Sequence, residues 1–482
     1  KKRHASCEDF ATPELLRTPL EELCLQIKLL IHETPPPTTT GAKESSTTTT
    51  VQKKLSINEF LDLAPEAPSK MAVRNAILAL QRIGALDKEE RLTRLGLQLA
   101  RIPMEPRLGR TLILGIVFGC LDPILSICCA LGYRDPFTIP LDSRAKKGYD
   151  QARILLSENS NSDHIAVLNA VDGYINLYGA SQEYGYCQRN FLSHPTMRMV
   201  KGMRQQVMSE LQRLNLVGAA STSVSTRTGG ATWEFANRHA KSLPAITTVL
   251  SCGLYPNIMR RRVGVKNFDA PGQRKCRLNG SSIPSMSGGV LNRVDSNRKG
   301  MSRWITFGEM LKGMRSELVR DASVISPFSV LFGAGSAVAS TANRDGAGGD
   351  DDDESDGEKN KVDEGDDASE ASGGGATTIV SIDANLEFRI PSELVEVTDT
   401  LRGCVHAAVA LLVWKSEGRK DDAQGTLAAM NDCVTNAIDT VVNVVAPDYR
   451  RNTSTSVVRG GGGGSGGRSG GGRSNRGGRG GR

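Results

Sequence analysis

Residues 92–137 read LTRLGLQLARIPMEPRLGRTLILGIVFGCLDPILSICCALGYRDPF, and the order of their punctuation decides the fold. A Thr-capped turn at Leu92-Thr93-Leu95-Gly96 opens a short amphipathic helix. Pro103-Met104-Glu105-Pro106-Arg107 breaks it, since proline ends one helix and is tolerated in the first turn of the next. A long apolar helical pair follows and stops at Asp135-Pro136-Phe137.

On the N-terminal side, Thr18-Pro19-Leu20-Glu21 has the pattern of an N-cap, a proline at the first helical position and a capping-box glutamate. Leu20, Leu23, Cys24, Ile27, Leu30 and Ile31 then fall on one helical face. Residues 34–54 are rich in proline and threonine, too polar to pack, and are expected to form a surface loop. A second helix carries Ala72, Val73, Ala76, Ile77, Leu80 and Ile83 and stops at Gly84. Helix, helix and short hairpin is the winged-helix order, with the wing at Lys88 to Arg91.

On the C-terminal side the pattern stays helical to about Val217, through Leu108–Cys120, Ile124–Leu131, Asp163–Leu177 and Met197–Leu214. Ser162-Asp163-His164 starts one of these helices with Ile165, Leu168 and Val171 inward. With no cysteine or second histidine near it, His164 is expected to be structural and not a metal ligand. A helix from Leu243 to Cys252 leads into Gly253-Leu254-Tyr255-Pro256-Asn257. Beyond it, short alternating runs with turn signals at Asn279-Gly280 and Ser287-Gly288-Gly289 predict a small β-barrel, with Arg303–Phe307 its clearest strand.

The sequence thus predicts a multidomain chain, mainly α with a small β-barrel. It divides into a winged-helix-like domain (1–102), a helical bundle (103–217), a linker and helix (218–252), and a barrel (253–335). An acidic insertion (336–376), disordered by composition, a strand and helix extension (377–447) with helices around Leu394–Trp414 and Gly425–Val444, and a glycine-arginine tail (448–482), also disordered, complete it.

Leu92-Thr93-Leu95-Gly96, Pro103-Met104-Glu105-Pro106 and the small-residue-rich helix pair, taken together, resemble the segment that follows the two motor domains of DEAH/RHA-type RNA helicases. Arg17-Thr18-Pro19-Leu20, Ser162-Asp163-His164, Cys187-x-x-Asn190-Phe191-Leu192, Arg204-Gln205-Gln206 and Gly253-x-Tyr255-Pro256-Asn257 extend the resemblance in the right order. It implies a winged helix, a helical ratchet bundle and an oligonucleotide-binding (OB) fold, with Leu331-Phe332 where the family closes its barrel. The strands and helices after residue 377 resemble the RNA helicase A (maleless) subgroup. Leu278-Asn279-Gly280-Ser281-Ser282 takes the place of the family's H-P-S-S turn, keeping both serines and lacking the histidine and proline.

The resemblance implies an ATP-dependent RNA helicase that moves 3′ to 5′, of which this chain is the C-terminal half. ATP and magnesium would be bound by the motor domains, because this sequence contains no Gly-x-x-x-x-Gly-Lys-Ser/Thr loop, no Asp-Glu-x-His and no Gln-Arg-x-Gly-Arg. No catalytic residue, metal ligand or cofactor is therefore expected in the chain itself. The implied partners are single-stranded RNA and duplex ends, the protein's own motor domains, and RNA-processing or transcription proteins, in nucleus or cytoplasm. A standalone RNA-binding or scaffold protein using the same domains remains the alternative reading.

Charge is consistent with a polyanion partner. The formal net charge is +7, yet a dense acidic run occupies residues 344–370, so the rest is considerably more basic. Ten cysteines, none in a Cys-x-x-Cys pair, are expected to be reduced core thiols. The apolar run around Leu112–Cys120 is too short to cross a bilayer, so no membrane partner is expected. Arg260, Arg261, Arg262, Lys266, Arg274, Lys275 and Arg277 cluster at the start of the predicted barrel, where they would neutralise phosphates. Ser281 and Ser282 are carried over from the resemblance as RNA contacts. Arg459, Arg476 and Arg479 head Arg-Gly-Gly units, which suit loose, sequence-tolerant RNA contact.

Overall fold

The computed structural model describes residues 12–33, 56–158, 160–177, 179–218, 231–261, 268–270, 274–286, 304–313, 316–333, 335, 337–341, 377–383, 386–417 and 436. The acidic run, the segment Gly425–Val444 apart from residue 436, and the tail with Arg459, Arg476 and Arg479 lie outside them.

The first unit comprises α1 (Glu14–Arg17), α2 (Glu21–Glu33), α3 (Ile57–Leu61), α4 (Lys70–Arg82) and α5 (Arg94–Arg101). Thr18 does not cap α2 as its sequence suggests. Its hydroxyl donates to the Glu14 carbonyl four residues back and closes α1, so α2 begins only at Glu21. Between α4 and α5 the chain doubles back through a Leu86–Leu92 bridge, its tip held by Asp87, which accepts from the Arg91 backbone N–H at 2.7 Å. Thr93 caps α5, accepting from the Gly96 amide at 2.9 Å. Gly96 is required there by contact: a Cβ on it would sit 2.1 Å from the Ala85 carbonyl oxygen.

Next come α6 (Pro106–Val117) and α7 (Leu121–Leu131), whose residues are almost all buried. They approach closely at Gly115, where an added Cβ would lie 3.2 Å from Ile124. Around them pack α8 (Ser143–Leu156), α9 (Asp163–Ile175), α10 (Ala180–Arg189), α11 (His194–Arg213), α12 (Trp233–Ala236) and α13 (Leu243–Gly253). Ser162, Ser193 and Ser242 cap α9, α11 and α13 through their side chains. One continuous apolar core runs through both helical units. None of the eight described cysteines forms a disulfide, and burial pushes the Cys187 and Cys252 thiols up to about 11.

Five strands then close a barrel: β1 (Ile258–Arg261), β2 (Phe268–Ala270), β3 (Arg274–Leu278), β4 (Trp304–Leu311) and β5 (Glu317–Ile325). Their order is β1-β2-β3-β5-β4, every neighbouring pair being antiparallel except β3 with β5. Leu331 and Phe332 do not close it. They lie on a helix, α14 (Pro327–Gly333), and closure is made by β4 pairing with β1.

Part of the expected acidic insertion is also ordered. Ala337–Thr341 forms β6, paired antiparallel with β7 (Thr377–Ile382), which pairs with β8 (Leu386–Pro391). The insertion is thus a connection within one sheet, starting after β6 and not at residue 336. This sheet packs its Val380, Ile382 and Phe388 side against Ile258 and Trp304 of the barrel. Last, α15 (Glu393–Ser416) is long and apolar enough to cross a membrane by length and composition. Here it lies against α5, α6 and α14, burying Val405, Ala408 and Leu412 in the helical core. Arg402, buried at its centre, donates to the Leu331 carbonyl and, at 2.6 Å, to the Gly335 carbonyl.

Candidate nucleic-acid interface

The barrel strands sort the predicted basic residues by alternation. Arg260, Asp269 and Lys275 face one another across β1, β2 and β3, while the neighbouring row is Arg261, Phe268 and Cys276. Phe268 and Cys276 are buried in the barrel, so the first row points outward. Arg260, Lys275 and Arg277 are exposed on that outer face. Asp269 sits between the two cations Arg260 and Lys275 and dilutes their field without cancelling it.

Arg261 does not join that face. It belongs to the inward row at the strand end, its guanidinium 5.8 Å from the Phe268 ring centroid. Arg274 lies on β3 opposite Ala270. Arg262 and Lys266 fall outside the described residues.

Base-stacking aromatics are absent from the exposed face among the described residues. Tyr255 and Phe268 are each 3% exposed. Trp304 is stacked on Phe388 of β8 at 5.1 Å and flanked on the barrel side by Arg260 at 5.5 Å. The extension sheet therefore covers the aromatic a strand could otherwise stack on, leaving a face suited to phosphate contacts, which carry no sequence information.

Ser281 and Ser282, carried over as RNA contacts, lie where the barrel meets the helices. The turn after β3 is clipped onto the helical bundle: the Ser281 carbonyl accepts from Arg153 of α8 at 2.7 Å, and Ser282 is 2% exposed with its hydroxyl on the Asp163 carboxylate. Ser282 is thus turned into the protein.

Asp163 is the centre of this joint. Its Oδ1 accepts from Arg153 Nη2 at 2.8 Å and from the Ile283 amide at 2.8 Å, and its Oδ2 accepts from the Ala322 amide of β5 at 2.9 Å. Burial pushes this carboxyl up, and the guanidinium, two amides and a hydroxyl oppose it. The side chains of Arg153 and Asp163 are 5% and 2% exposed. Arg153 also lies over Phe137 at 4.9 Å and bonds the Tyr149 hydroxyl. Phe137, the last residue of the opening stretch, therefore supports the joint that carries the barrel.

Beside it, Ser323 of β5 is bonded by both Ser162 Oγ and His164 Nδ1 at 2.5 Å. Burial pushes His164 down to about 4. Sequence reasoning placed Ser162, Asp163 and His164 at a helix start and missed that they grip the barrel. The signal it had was an acid and a histidine on a buried helix end with no local partner.

The chain has no glycine-rich phosphate loop, and no group of three His, Cys, Asp or Glu among the described residues could hold a metal ion.

Comparison with known proteins agrees with this architecture. Residues 76–104 match the family described as helicase associated domain (HA2), winged-helix, and residues 105–167 match helicase associated domain (HA2), ratchet-like. The chain is 31% identical over 343 residues to the DExH-box ATP-dependent RNA helicase DExH1 of Arabidopsis thaliana, covering 69% of this chain and 29% of that protein. It is 34% identical over 331 residues to human ATP-dependent RNA helicase DHX30, covering 67% of this chain and 25% of the relative. Mouse ATP-dependent DNA/RNA helicase DHX36 is 35% identical over 265 residues, 55% of this chain and 23% of the relative. The chain thus carries helicase-associated winged-helix and ratchet-like segments and spans under a third of the length of these relatives.

Proposed function

We propose that this chain is the RNA-binding, helicase-associated C-terminal region of an ATP-dependent 3′–5′ RNA helicase, related to the RNA helicase A subgroup. In this reading the motor domains, which bind ATP and magnesium, pull a single strand past the ratchet bundle while the barrel borders its path. The intact protein would act on RNA with duplex ends in nucleus or cytoplasm, alongside RNA-processing or transcription proteins. The arginine-glycine tail would add loose, non-specific affinity.

The observation that carries the reading is the barrel. Strand order β1-β2-β3-β5-β4 with a parallel β3–β5 pair supports an OB fold, a barrel that tracks single strands. Its outer face presents Arg260, Lys275 and Arg277, and Asp163 holds it against the ratchet helices.

The test is a salt titration of single-stranded RNA binding with the full chain. Each phosphate contact contributes about 0.7 to the slope of log affinity against log salt for a single strand. Substituting Arg260, Lys275 and Arg277 together by alanine should lower that slope by about 2 and weaken homopolymers alike. An unchanged slope in this triple variant removes the barrel face from the reading, while no measurable RNA affinity in the unmodified chain removes RNA binding altogether.

A further inference from the structure

Helix α15 does not seal against the first helical units. Between it and α4, α5 and α6 lies a cleft of about 660 Å3, within the range of small-molecule sites. Its walls are mainly apolar, among them Leu95, Leu114, Val405, Val413 and Trp414. No aspartate or glutamate lines it among the described residues, whereas Arg82, Arg94, Arg110 and His406 all do.

The three arginines are unequally placed. Arg82 and Arg94 are exposed at the mouth, Arg94 facing Glu417 at 3.8 Å. Arg110 stands inside on α6, and its one hydrogen bond among the described residues is a long one, 3.3 Å, to the Cys252 carbonyl at the end of α13. A helix C-terminus offers about half a negative charge, which leaves most of a sheltered guanidinium uncompensated. Burial accordingly holds Arg110 below the usual arginine range, and Arg110 and Arg402 add to burial in pushing His406 down. The protein thus places a planar, two-pronged cation inside an apolar cleft that contains no acid.

From this geometry we infer that the cleft is a binding site for an aliphatic monocarboxylate, its carboxylate paired with Arg110 and its chain against the apolar walls. A guanidinium pairs with a carboxylate through two parallel bonds, and the single sheltered cation matches a single headgroup. The remaining lining is mainly apolar, its other polar side chains being Gln81, Thr93, His406 and the two arginines at the mouth. This site is separate from the barrel face and does not depend on RNA binding.

Decanoate titrated into the full chain tests it, with intrinsic fluorescence as the readout because Trp414 lines the cleft. Expected is a saturable change that disappears in Trp414→Phe. Decanol, with the chain and no charge, and butyrate, with the charge and little chain, should each bind at least about tenfold more weakly, as losing a charged hydrogen-bonded pair or several buried methylenes implies. Arg110→Met should show the same loss while Arg110→Lys keeps part of the affinity, and circular dichroism of both variants checks that the fold persists. Should Arg110→Met misfold, the decanol and butyrate arms on the unmodified chain still decide. The inference is overturned by decanol binding as tightly as decanoate, by a folded Arg110→Met with unchanged affinity, or by no saturation up to about 1 mM.

Discussion

Replacing Asp163 with alanine removes the carboxylate that α8, the turn after β3 and β5 all share. Four donors lose their acceptor at once: Arg153 Nη2, the amides of Ile283 and Ala322, and the Ser282 hydroxyl. Stranding one member of a buried ion pair costs about 3–5 kcal/mol. Each orphaned amide would add about 1–3 kcal/mol where water cannot reach it. The terms overlap, because detaching the turn lets water reach these donors, so a loss of about 5 kcal/mol is expected, comparable with the whole stability of a marginal domain. The double variant Arg153→Met, Asp163→Leu separates the contributions. It removes the stranded charge but leaves the two amides unpaired, so it should regain part of the loss and remain about 2–4 kcal/mol below the parent. Calorimetry gives the stability order, and hydrogen exchange of residues 279–286 and 318–325 locates the opening. Protection unchanged in Asp163→Ala, or full recovery in the double variant, would refute the claim that this carboxylate fastens the barrel through its backbone amides.

Three further outcomes follow from the same structure. Gly96→Ala drives a methyl into the Ala85 carbonyl at 2.1 Å, so thermal stability should fall by about 1–3 kcal/mol, with increased exchange localised to residues 84–97. Asp321 is pushed up to about 7 by burial and by repulsion from Asp135 and Asp163, against Arg320 and Arg153. Its folded pKa lies above the unfolded value, about 3.9, so its favourable contribution is complete below pH 4 and is lost as pH rises through 7. Asp321→Asn, neutral throughout and tolerant of the positive φ of 54° at this position, should raise the melting temperature at pH 8 and not at pH 4; a pH-independent difference contradicts the assignment. Arg402→Met strips the donors from the Leu331 and Gly335 carbonyls, and its effect should appear as faster exchange in α14 and the β6–β8 sheet with little change in α9.

The helical half was legible because its signals are local. A 3.6-residue apolar period, a serine or threonine cap and a proline at a helix start act within one or two turns, so α4, α5, α9, α11 and α13 could be placed from their own residues. Gly96 in the Leu92–Gly96 turn belongs with them, since its close contact is Ala85, eleven positions back. Thr18 shows the limit of that reasoning: two carbonyl and amide ends compete for one hydroxyl, and the preceding helix took it.

What depended on distant partners was not legible. Ser281 and Ser282 look like exposed turn serines until Arg153 and Asp163, more than a hundred residues earlier, are brought against them. Arg260 and Arg261 are adjacent in a basic run, and only strand register sends one outward and the other over Phe268. Ala337–Thr341 lacks the pattern to stand alone as a strand; it becomes one because Thr377–Ile382, across the acidic run, supplies the missing hydrogen bonds. By itself the sequence determined α4, α5, α9, α11 and α13 and the family the chain resembles, because those are set by residues a few positions apart. Only tertiary structure decided which charges face solvent, which aromatics are covered and how the barrel is fastened, because each of those depends on a partner that the linear order does not place nearby.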